Sequence, residues 1–97
     1  MTSEDFRETC IALLNQLLDQ GFQHPIYFAA IAMDGLTTSG SSETVTGAVQ
    51  PLEKTGTTSG ARVMYLLPVN VLFVDPHGQV AHGVIHGPGS VSCRVLN

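Results

Sequence analysis

Only one stretch of this chain, Phe6 to Leu18, repeats its apolar residues at a helical period, so any core must be one helix laid against strands. At about 100° per residue, Phe6, Cys10, Ile11, Leu13, Leu14, Leu17 and Leu18 share a sector about 160° wide, with Glu8, Asn15, Gln16 and Asp19 opposite. Thr2 or Ser3 can cap the start, Glu4 and Asp5 suit the positive end of the helix dipole, and Gly21 suits a left-handed terminator. The spacing predicts a core-facing helix over residues 3–20.

After His24-Pro25 the pattern changes. The continuous apolar run Ile26 to Met33, closed by Asp34-Gly35, reads as a buried strand over 26–33. The Thr/Ser/Gly run from Thr37 to Ser42 reads as a loop. Val45, Gly47 and Val49 alternate with polar neighbours and predict a half-buried strand over 43–50, and Pro51 to Gly60 reads as a second polar loop. Thr37-Thr38-Ser39-Gly40 recurs as Thr57-Thr58-Ser59-Gly60, but the flanks do not match, so the echo is read as coincidence rather than repeat. A third strand is expected over 62–74, kinked or at a sheet edge because Pro68 lacks an N–H. Asp75-Pro76-His77-Gly78 is a turn signal that predicts a hairpin into a strand over 79–86, and Gly87-Pro88-Gly89-Ser90 predicts the reversal into 91–96. The expected architecture is a single α+β domain over 1–97, one helix packed on four or five mainly antiparallel strands in two layers.

The hairpin raises a covering problem. With symmetric closure at Asp75–Gly78, Val69, Val71 and Phe73 share a face with Val80, His82 and Val84, and the opposite face carries Leu72, Val74, Ala81 and Ile85. Neither face is polar. One helix covers one side of such a sheet, and the sequence offers no second helix for the other. A second copy of the chain is the economical cover, which makes Val69, Val71, Phe73, Val80 and Val84 candidate interface residues and predicts a homodimer or higher oligomer.

Charge points the same way. Of 97 residues only four are Lys or Arg and eight are Asp or Glu, giving a net charge of −4. Five of these, Glu4, Asp5, Arg7, Glu8 and Asp19, belong to the helix region, whereas residues 61–97 hold only Arg62, Asp75 and Arg94. Too little basic charge is present to neutralise phosphates, so a nucleic-acid partner is not expected. No apolar run approaches the ~20 residues of a membrane-spanning helix, and the acidic start is unlike an export signal, so the expected setting is the cytoplasm with Cys10 and Cys93 reduced.

Chemistry is sparse. The sequence contains no dinucleotide, P-loop, zinc-protease, C-x-x-C or nucleophile-elbow motif, and no cofactor or metal is expected. His82 and His86 share a strand, yet four residues at ~3.3 Å each separate them by about 13 Å, too far to hold one metal. Carrying the register through the second turn puts Cys93 opposite Val84, diagonal to both histidines, so a Cys–His pair is geometrically conceivable. Arg94 could pin an anion or face solvent. Two readings therefore compete: a non-enzymatic binding module acting as a homo-oligomer, or a small enzyme or small-molecule carrier. The second would use a helix–sheet pocket containing His82, His86, Cys93 and Tyr65. An inhibitor of a basic protein fits the acidic balance but lacks a charge cluster.

Overall fold

A computed structural model describes residues 1–46 and 64–97. It is a two-layer α+β structure: helix α1 (Ser3–Asp19) packs on a five-stranded antiparallel sheet formed by β1 (Tyr27–Ile31), β2 (Thr37–Ser41), β3 (Val69–Val74), β4 (Val80–Gly87) and β5 (Ser90–Val95), with a short helix α2 (Ser42–Thr46). The sheet order is β2-β1-β3-β4-β5, which places β3 at the centre and β2 and β5 at the edges.

Helix α1 forms as the periodicity requires. Thr2 caps it, its hydroxyl accepting from the Asp5 N–H while the Asp5 carboxylate accepts from the Thr2 N–H. At the other end Phe22 N–H reaches the Leu17 carbonyl and Gly21 N–H the Leu18 carbonyl, with Gly21 at φ +101°. This is the paired closure that a left-handed residue makes possible. Phe6, Cys10, Leu13, Leu14 and Leu17 are fully buried, while Ile11 and Leu18 sit at the margin of the core. Below them lie Phe28 and Ala30 of β1, Val69, Val71 and Phe73 of β3, and Ala81 and Ile85 of β4. Phe6 stacks on Tyr65 with ring centroids 4.9 Å apart, and the Tyr65 hydroxyl is 2.9 Å from the buried Thr38 hydroxyl.

Three expectations along the chain are corrected. The Thr37–Ser42 run is not a loop: residues 37–41 form edge strand β2, with Thr38 and Ser41 buried and Thr37 and Ser39 exposed. Residues 43–46, expected to begin a strand, belong to α2, where Ser41 and Thr44 exchange backbone and hydroxyl hydrogen bonds and Arg7 of α1 donates to the Val45 carbonyl. Pro68 precedes β3 rather than interrupting it, so no ladder hydrogen bond is lost and the strand is central. The rest of the strand expected over 43–50, the Pro51–Gly60 loop with the second Thr/Ser/Gly run, and Arg62 at the start of the expected third strand lie outside the described residues.

Candidate functional site: the open face of the sheet

The β3–β4 turn decides what each face carries. Gly78 stands at φ +80° and its N–H bonds the Asp75 carbonyl, while Asp75 N–H bonds the Gln79 carbonyl. The loop is therefore three residues, Pro76 to Gly78, closed by an Asp75–Gln79 pair. The Asp75 carboxylate organises it by accepting from the backbone N–H groups of Gln79, His77 and Gln23 and from the Gln79 side chain. Burial pushes that carboxyl upward, but the four donors outweigh it and hold the group below its ordinary value of 3.8.

Symmetric four-residue closure would pair Phe73 with Val80. The extra left-handed residue instead pairs Val74 with Val80, Phe73 with Ala81, Leu72 with His82 and Val71 with Gly83. A one-residue slip moves every side chain of one strand to the other face relative to its partner. Val69, Val71 and Phe73, expected among the interface residues, are thus fully buried under α1 together with Ala81, Gly83 and Ile85. Gly83 fits tightly there, since a Cβ at that position would lie 3.2 Å from the Phe73 ring and 3.4 Å from Leu13.

A second irregularity, between Ile85 and Gly87, resets β5 so that Cys93 pairs with Gly83 and Arg94 with His82. Cys93 accordingly falls on the helix side, half-buried at the margin of the core. Burial raises its thiol pKa, with the Arg94 backbone N–H pulling the other way. His82 is on the opposite side of the sheet, its Nε2 3.0 Å from the Asn70 Oδ1. His86 is exposed near the end of β4, and Tyr65 is buried between α1 and β2. The structure brings His82 and Arg94 together as cross-strand neighbours and separates both from Cys93 and Tyr65. Among the described residues no three His, Cys, Asp or Glu side chains converge as a metal-ligand set. No helix among them is long and apolar enough to cross a membrane.

What the slip leaves on the uncovered face is the main feature of the molecule. Across its centre run Ser39, Ala29, Leu72, His82 and Arg94. On one side lie Tyr27, Val74 and Val80, with Leu96 bonded to Val80 just beyond β5, and on the other Thr37, Ile31, Asn70, Val84 and Ser92. Tyr27 is 55 % exposed, Leu72 50 %, Ile31 49 % and Leu96 47 %. With Val74, 40 % exposed, these make an apolar patch on this face. Arg94 is the one formally charged side chain in these rows. Of the residues expected at an interface, only Val80 and Val84 lie on this face, where Tyr27, Ile31, Leu72, Val74 and Leu96 join them. Asn70 carried the signal for them. It is the one polar residue of β3, and its parity marks the solvent side shared with Leu72 and Val74.

Compared with known proteins, the chain matches no family model, no curated protein and no solved structure.

Proposed function

We propose that this protein is a small non-enzymatic interaction module that works as a homo-oligomer, with the open face of its sheet as the working surface. The observation that carries the reading is the uncovered apolar row on β1 and β3, Tyr27, Ile31, Leu72 and Val74, lying opposite a core already filled by α1. A second copy is the occupant the face fits. The patch is nearly free of charge, which suits another such face and offers little to an acidic or basic ligand. Ala29, Asn70, Val80, His82, Val84 and Arg94 widen the surface on which a standard interface would bury ~800 Å² per partner. Two such sheets can pack face to face at the usual ~10 Å spacing. The two thiols, one buried and one at the core margin, suit a reducing setting such as the cytoplasm. A pocket built from His82, His86, Cys93 and Tyr65 draws no support from this arrangement, because the sheet stands between His82 and Cys93.

Sedimentation velocity at micromolar concentration tests the reading. The native chain should sediment as a dimer or larger species, and Leu72→Asp as a monomer with unchanged far-ultraviolet circular dichroism. A native monomer would overturn it.

A further inference from the structure

We infer that association through the open face is gated by protonation of His82, so that the homo-oligomer forms when this imidazole is neutral and dissociates in mild acid. The inference rests on the reading of that face as the self-association surface. His82 lies on β4, one strand from the centre of the sheet, and any face-to-face contact centred on Leu72 must cover it. Its neighbours offer nothing to compensate a positive charge. On β3 it meets Leu72 and the neutral Asn70 amide, and on its own strand Val80 and Val84. On β5 its cross-strand partner is Arg94, already a cation, at the ~5 Å Cβ spacing of directly opposed residues. His86, four residues along β4, is about 13 Å away. No carboxylate side chain occupies the rows described above.

When His82 is neutral, its ring is an amphipathic side chain tethered to Asn70 and can be covered at little cost. When it is protonated, covering it requires desolvating an ammonium-like charge beside a guanidinium, in each protomer of the pair. Dissociation exposes both rings to water, so protons bind the monomer better than the dimer and acid drives the equilibrium apart.

Each dimer covers two such rings, so the penalty on protonation counts twice. The native dimer should therefore weaken at least tenfold between about pH 8 and about pH 5.5. The Asp75 carboxylate does not titrate in this window, since it is held below 3.8.

The experiment measures the dimer Kd by sedimentation equilibrium at both pH values for the native chain, His82→Gln and His86→Gln, with circular dichroism to confirm folding. The expected result is a large pH dependence in the native chain and in His86→Gln, and a nearly constant Kd in His82→Gln. A native dimer with equal Kd at both pH values overturns the gate while leaving the self-association reading intact, as does a pH dependence that survives in His82→Gln. A native monomer at about pH 8 overturns the self-association reading and the gate with it.

Discussion

Val71 and Leu72 are adjacent in the central strand, and replacing each in turn with aspartate separates the two faces of the sheet energetically. Val71 is fully buried beneath α1, whereas Leu72 is 50 % exposed. Removing the Val71 side chain from the core forfeits about 2 kcal/mol of apolar burial. The carboxylate that replaces it must either be desolvated without a partner or take up a proton, at a further cost of several kcal/mol. The total is comparable with the ~5–15 kcal/mol that holds a domain of this size together. Val71→Asp should therefore be unfolded in buffer near neutral pH. Leu72→Asp gives up only the buried half of one side chain, about 1 kcal/mol, and places its charge in water. It should keep a cooperative urea transition with a modestly lowered midpoint. Urea titrations followed by circular dichroism, run at two protein concentrations to separate folding from association, make the comparison. Equal loss of stability in the two variants, or a folded Val71→Asp, would refute the assignment of faces on which the account depends.

Three further outcomes follow from particular groups. Burial pushes the Cys10 thiol up to about 12 and leaves Cys93 raised but only half-buried, so iodoacetamide near pH 8 should label Cys93 slowly and Cys10 only after unfolding; mass spectrometry reads both, and early labelling of Cys10 would contradict the packing of α1. Because the Asp75 carboxyl is held below 3.8, the stability it contributes is fully present above that value and is lost as pH falls through the lower folded value, so Asp75→Asn should flatten the acid limb of a stability–pH curve; an unchanged acid limb would remove Asp75 from its role in the turn. Gly78→Ala, forced to φ +80°, should destabilise by about 1 kcal/mol in urea titration, and a neutral effect would argue against the three-residue loop.

Helix α1 was legible because its stripe, its cap and its glycine all point to the same boundaries. The β3–β4 and β4–β5 reversals were legible as turns for a similar reason, since Asp-Pro-His-Gly and Gly-Pro-Gly-Ser admit little else. The register was not. The same four letters close either a symmetric hairpin or a three-residue loop with Gly78 left-handed, and that single residue transfers Val69, Val71 and Phe73 from a supposed partner surface to the core. The proposed Cys93–histidine cluster dissolved separately, through the irregularity beside His86 that resets β5 against β4. Strand β2 was not legible because an edge strand of Thr, Ser and Gly, with hydroxyl residues at its buried positions, resembles a loop in composition. The excess of apolar surface over one helix's cover survived these errors, because it depended on the number of apolar strand residues and not on their register.

The central claim is that the open face meets a second copy of itself. Isotope-filtered NMR on a mixture of labelled and unlabelled chains near pH 8 tests it most directly. The account predicts intermolecular contacts from the Leu72 and Ile31 methyls and the Tyr27 ring to the same face of the partner. Intermolecular contacts confined to the β2 or β5 edge, or none at micromolar to millimolar concentration, would contradict it.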